Sequence, residues 1–281
     1  MTAIDRLTKT ASQVRRDIVR MVHAQASGHP GGSLGAADFF TALYFQVMDI
    51  NPANFSMDGN NEDMFFLSNG HLSAAWYSVL ARSGYFPISE LSTFRTINSR
   101  LQGHPTNEEG LPGVRIASGS LGQGVSVAIG AALGKKLNND KHFVYCLTGD
   151  GELQEGQIWE AALFAAQHKV DNLIVAVDYN KKQIDGPTDK VMSLGNLSAK
   201  WEAFGWQVLE CNGNQMEELL ACLNQAKKQS GQGKPIVLLL HNEMGFGVDF
   251  MMGTHEWHGV APNNEQLAVA LAQLEETLGD Y

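Results

Sequence analysis

HFVYCLTGDGELQEGQIWEAALFAAQH, residues 142–168, decides the fold. Its first seven residues form a nearly unbroken apolar run, as expected of a strand buried on both faces, and residues 155–168 carry helical periodicity. Between them Gly149 and Gly151 flank Asp150 in a tight strand-to-helix turn. The same alternation continues outward in both directions. Strands are expected at MFFL (64–67), NLIVAVD (172–178), WQVLEC (206–211) and PIVLLLH (235–241), besides 142–148. Helical periods fall at 10–25, 35–48, 71–83, 122–138, 155–168, near 197–204 and at 215–229, and NEQLAVALAQLEETLG (264–279) reads as a closing amphipathic helix. Short apolar strands separated by helices predict an α/β fold with a mostly parallel sheet and helices on both faces. With no internal repeat, low-complexity tract or linker, residues 1–281 are expected to form a single complete domain.

In such sheets ligands gather at the carboxyl ends of the strands. The polar and glycine-rich segments lie there: LSNGH after MFFL, GDGELQEG after VYCLT, DYNKKQIDG after LIVAV and NEMGFG after IVLLLH. Glycines in GDG allow the backbone to approach an anion, and the following helix start offers free N–H groups. Asp150 and Asn180, from neighbouring strand ends, offer two hard oxygen ligands of the kind Mg²⁺ takes when it also binds phosphate oxygens. Alone, either residue is better read as local structure, Asp150 as a helix cap and Asn180 as a turn residue.

Composition narrows the function. Thirty acidic against twenty basic side chains leave a net charge of −10, which repels nucleic acids and anionic membranes, so an anionic ligand must be held locally. A hydrophobic fraction of 44% in 281 residues suits a soluble globular protein. Cys146, Cys211 and Cys222 have neither paired nor metal-type spacing, and no apolar run reaches the ~20 residues of a membrane span. The start of the chain carries acids among its bases and no signal core, and a cytoplasmic location is expected.

Seven motifs in order then point one way: SGHPGGSLG (27–35), LSNGH (67–71), GHPT (103–106), ASGSLGQG (117–124), GDGELQEG (149–156), DYNKKQIDG (178–186) and WHG (257–259). Together they resemble the diphosphate-binding domain of transketolases, and the GDG…N pair resembles the thiamine diphosphate fingerprint. The resemblance implies that Asp150, Asn180 and the main-chain oxygen of Lys182 hold a divalent metal, Mg²⁺ or else Ca²⁺ or Mn²⁺. It implies that Gly119, Ser120, Leu121 and Gly151 lie against thiamine diphosphate. Two departures stand out: Lys182 replaces a usually aliphatic residue, and His241 stands where many relatives carry a lysine ahead of a G-x-G, so that a direct ammonium contact is weakened.

Five histidines, His29, His71, His104, His255 and His258, sit in polar or Gly/Pro-bearing loops. A solitary loop histidine is usually a surface residue, but imidazole also suits proton exchange with sugar hydroxyls near neutral pH. By resemblance, His104 contacts the donor's first hydroxyl, His29 and His258 serve the C3 hydroxyl, and His71 lies beside the diphosphate. In GTHEWHG the WHG match favours His258, with His255 the alternative contact. HEWH also imitates a zinc-protease helix, but its histidines are three apart instead of four and glycines flank it.

The family's glutamate for the aminopyrimidine, and the arginines that grip the sugar phosphate, belong to later domains. Glu155 and Glu160 lie on the diphosphate side, and Glu155 reads as an interface residue. The resemblance thus implies the N-terminal subunit of a split enzyme that moves a two-carbon ketol unit between sugar phosphates, inactive until joined by a second chain, in an α2β2 assembly. Competing readings are a deoxyxylulose-phosphate synthase fragment, a 2-oxo acid dehydrogenase alpha subunit, or a non-catalytic regulatory paralogue. The SGHPG and WHG histidines favour sugar ketol transfer. A nicotinamide enzyme would need G-x-G-x-x-G, which GDGELQEG lacks and GSLGQG reverses.

Overall fold

Five strands pair, all in parallel, in the computed structural model, which describes residues 2–281. They are β1 (Met64–Leu67), β2 (Val144–Gly149), β3 (Leu173–Asp178), β4 (Gln207–Asn212) and β5 (Ile236–His241), in the spatial order β1-β2-β3-β5-β4. The expected mostly parallel α/β sheet is thus present. Register sets Gly149 beside Asp178 and Asp178 beside Leu240, so the loops leaving β2, β3 and β5 start at one level.

The strands are apolar on both faces because both are covered. Phe65, Leu67, Tyr145, Leu147, Ile174, Ala176, Leu238 and Leu240 pack on one side, where α1 (Ala3–Ala24), α2 (Ser73–Arg82) and α5 (Met216–Gln229) lie. The alternate residues Phe66, Val144, Cys146, Val175, Val177 and Leu239 pack on the other, against α3 (Gly124–Leu137), α4 (Gly156–Gln167) and the short helix Leu197–Ala203. This period-two division is the pleat expressed in a sheet covered on both faces at β1, β2, β3 and β5, while the edge strand β4 stays half-buried to exposed along its length. Cys146, Cys211 and Cys222 are all unpaired thiols. Among the described residues no helix is long and apolar enough to cross a membrane.

Three boundaries differ from the periodicity. The first helix begins at Ala3, not residue 10, because Thr2 and Asp5 form a reciprocal capping box ahead of the apolar stripe. The helix expected over 35–48 is two short ones, Pro30–Gly35 and Ala37–Ala42, followed by a wider turn over Leu43–Val47. Pro30 at the first helical position makes His29 its N-cap residue. The last helix, α6 (Asn264–Gln273), stops before 279 because α1 captures the tail. Arg16 Nη1 donates to the carbonyls of Leu271 (2.8 Å) and Leu274 (2.6 Å), and Asp280 receives Arg16 Nη2 at 2.7 Å.

Candidate cofactor site

The loops leaving β1, β2, β3 and β5, together with residues from the 27–35, 103–121 and 255–259 segments, enclose a cavity of about 350 Å³. Its frame is a carboxylate that the motifs do not single out. Glu152, 2% exposed, accepts through Oε1 from Ser68 Oγ and from Gly122 N–H (2.6 Å), and through Oε2 from Gly149 N–H (3.1 Å). One side chain thereby fastens the LSNGH, ASGSLGQG and GDG segments to each other. Burial raises its pKa, and the three donors pull against that rise. Glu152→Ala strands these buried donors, and a loss of about 3 kcal/mol in chemical denaturation is expected, with Glu152→Gln costing about 1 kcal/mol.

Asp150 and Asn180 both line the cavity. Asp150, 1% exposed, accepts Gly151 N–H on Oδ1 (2.8 Å) and Lys181 N–H on Oδ2 (2.6 Å). Asn180 Oδ1 accepts the Lys182 N–H at 2.9 Å and its Nδ2 donates to Asp178 Oδ2 at 2.8 Å. Asn242 Nδ2 donates to the other oxygen of Asp178 at 2.6 Å. Burial, then the neighbouring Asp178 charge, push Asp150 up to about 8. Burial likewise lifts Asp178 to about 6 against the two amide donors. Two adjacent buried carboxylates favour holding a proton, and a divalent ion would reverse that preference. No cluster of three His, Cys, Asp or Glu side chains suited to a metal occurs among the described residues. One carboxylate, one amide oxygen and main-chain oxygen are the donors this part of the cavity could offer, a set that would fit a magnesium-like ion completed by phosphate and water.

Across the cavity stand four imidazoles. The His29 ring lies 5.2 Å from His71, 6.1 Å from His104 and 5.8 Å from His258, and His71 lies 5.1 Å from His258. Four positions scattered along most of the chain are thus gathered at one mouth, which no local spacing in the sequence announces. Burial, reinforced by His258, Arg95 and His104, brings His29 down to about 4. Burial also holds His71, His104 and His258 below the ordinary imidazole value. All four are neutral at physiological pH, able to accept a proton. The Nδ1 atoms of His29 and His258 and both amide atoms of Asn69 are buried without protein partners.

Neutral burial has a stability signature. His29 titrates near 6.5 when unfolded and about 4 when folded, so the unfolded chain binds the proton first. Its contribution is complete above about pH 6.5 and is lost as pH falls toward 4. Melting temperature should decline over that window, and His29→Gln should flatten the decline; an identical pH profile for the variant would refute the buried neutral state.

Gly119, Leu121, Gly151 and Lys182 also line the cavity. Gly119 has φ +124°, and a Cβ there would sit 2.7 Å from His104 Cδ2, so the loop reaches His104 only as glycine. Ser120, His241 and His255 are not among the lining residues. Ser120 opens onto a neighbouring depression with Ser68 and Gln123. His241 lines an adjoining groove, where Nε2 lies 2.8 Å from Glu210 Oε2 on the neighbouring strand β4 and the ring lies 5.3 Å from Tyr179. His255 precedes the turn Glu256–His258, its carbonyl accepting the His258 N–H at 2.9 Å. In the NEMGFG loop it is Met244 that faces the cavity, a residue whose apolar side chain carries no chemical signal in the sequence.

Residues 7–279 match the family described as "Transketolase, thiamine diphosphate binding domain". The chain is 39% identical over 273 residues to an apulose-4-phosphate transketolase subunit of Actinobacillus succinogenes, covering 97% of each. It is 38% identical over 270 residues to a 6-deoxy-6-sulfo-D-fructose transketolase subunit of a Clostridium species, covering 96% of each. The crystal structure of transketolase from Campylobacter jejuni superposes with a TM-score of 0.89 at 36% identity, over 98% of this chain. The chain spans only 43% of that longer polypeptide.

Proposed function

This chain belongs to the transketolase family through its thiamine diphosphate binding domain, and we propose that it is the diphosphate-holding subunit of a two-chain transketolase. The observation that carries the reading is one cavity with the Asp150–Asn180 oxygen pair on its floor and four neutral imidazoles at its mouth. Relatives matched over nearly their whole length are named as subunits, which supports a partner chain holding what this one lacks. Residues 1–281 act as a single domain, in a cytoplasmic α2β2 assembly.

In this reading Asp150, Asn180 Oδ1 and the Lys182 main-chain oxygen hold Mg²⁺, and Gly119, Leu121 and Gly151 bring backbone close to the cofactor. When bound, thiamine diphosphate supplies the electron sink for carbon–carbon cleavage and formation. The chain's own work is proton handling and placement. His29 and His258 exchange a proton with the sugar's C3 hydroxyl, His104 contacts the donor's first hydroxyl, and His71 lies close to the diphosphate and the sugar channel. Their depressed basicity keeps a free lone pair for the hydroxyl proton and prevents a fixed positive charge from binding the sugar phosphate too deeply. The far end of the sugar is read by the second chain, so the relatives' different sugars are compatible with one cavity of this kind.

Calorimetric titration with thiamine diphosphate tests the proposal. Saturable binding is expected with Mg²⁺ and none with a chelator present. Absence of binding with Mg²⁺, with the second chain present, would contradict it.

A further inference from the structure

Resting on the reading of this cavity as a diphosphate site, we propose that the Lys182 ammonium is the chain's direct cationic contact to the diphosphate, kept in place by Glu243 and transferred to the anion on binding. The charge inventory motivates this. Among the cavity-lining residues Lys182 is the sole lysine or arginine, against Asp150, Glu152, Glu155 and Asp178. The four histidines are neutral, and Met244, on the facing loop, contributes no charge. A divalent ion at Asp150 is offset by the buried carboxylates around it. The diphosphate therefore needs a further cation, and the net charge of −10 supplies no favourable field.

The position of Lys182 suits that task. Its backbone is pinned, because its N–H donates to Asn180 Oδ1 at 2.9 Å and residues Lys182–Gln183 pair with Gly186–Pro187. Its side chain is 15% exposed. Nζ rests 2.8 Å from Glu243 Oε1, and that oxygen also accepts Gly253 N–H at 2.8 Å. Glu243 therefore keeps a partner after the lysine leaves.

Magnitudes favour the transfer. Glu243 is 41% exposed, and an ion pair of that exposure holds its cation by no more than about fivefold. A charge-assisted bond to phosphate inside a half-enclosed cavity is worth about 10- to 100-fold in affinity. Only side-chain torsions need change, since Lys182 lines both this cavity and the adjoining groove in which Glu243 lies.

The test is a titration of the full chain, together with any chain that co-purifies, using thiamine diphosphate and Mg²⁺ at several salt concentrations. Lys182→Met preserves the stem and the main-chain oxygen. It should raise the dissociation constant about 10- to 100-fold and reduce the salt dependence, while Lys182→Arg stays within about fivefold of wild type. Glu243→Gln, which frees the ammonium, should bind as tightly as wild type or up to about fivefold more tightly. Equal affinity and equal salt dependence in Lys182→Met, with unchanged melting temperature, would overturn the assignment while leaving the diphosphate site standing. Failure of the wild type to bind would overturn both.

Discussion

Asp150→Ala should abolish thiamine diphosphate binding instead of slowing turnover, with affinity in the presence of Mg²⁺ falling by more than about 100-fold. Asp150 is the only carboxylate in the proposed metal donor set, and its two oxygens are already aligned by the N–H groups of Gly151 and Lys181. Asp150→Asn separates binding from folding. The asparagine retains one acceptor and removes a charge whose pKa burial and Asp178 have driven up to about 8. The cofactor-free Asn variant should therefore melt no lower than wild type near pH 7.5, while its cofactor affinity still falls by at least about tenfold. Unchanged affinity in either variant, measured calorimetrically with Mg²⁺, would remove Asp150 from the site.

His29→Ala should lower kcat/KM of the assembled enzyme by about 10² to 10⁴, the usual worth of a positioned proton carrier. Cofactor affinity should remain within a few fold, because His29 belongs to the imidazole group at the mouth and not to the oxygen ligands on the floor. Its Nδ1 is buried with no protein partner, which leaves the ring free to turn a nitrogen to substrate. A parallel loss of cofactor affinity would show that the ring supports the cofactor pocket and does not act on the sugar.

The sheet was readable from the chain because burial on both faces leaves a plain signature. VYCLT, LIVAV and IVLLL are apolar without interruption, and each ends where a polar loop begins. Asp150 and Asn180 could be singled out because they stand in polar loops at the ends of β2 and β3, whereas His29, which follows α1 and precedes a short helix, was singled out through the family resemblance of SGHPGGSLG. Boundaries governed by tertiary contacts were hidden. The end of α6 depends on Arg16 and Asp280, which lie 264 residues apart, and no periodicity encodes that pairing.

The polar frame was equally hidden. Glu152 looked like one more acid in GDGELQEG, and its role depends on Ser68 and Gly122 arriving from elsewhere in the chain. The depressed basicity of the histidines is likewise a product of enclosure and cannot be seen in one dimension. Proximity in sequence to G-x-G drew attention to His241, yet the side chain of the last residue of β5 points to Glu210 on the adjacent edge strand.

We propose that this chain supplies the metal and diphosphate ligands and the proton carriers, and that a second chain supplies the rest. The most direct measurement is native mass spectrometry of the complex purified gently from its source, paired with a ketol-transfer assay on the same sample. A complex with a second polypeptide is expected, containing thiamine diphosphate and a divalent metal and losing ketol transfer when the chains are separated. Ketol transfer by this chain alone, rigorously freed of any other polypeptide, would contradict it.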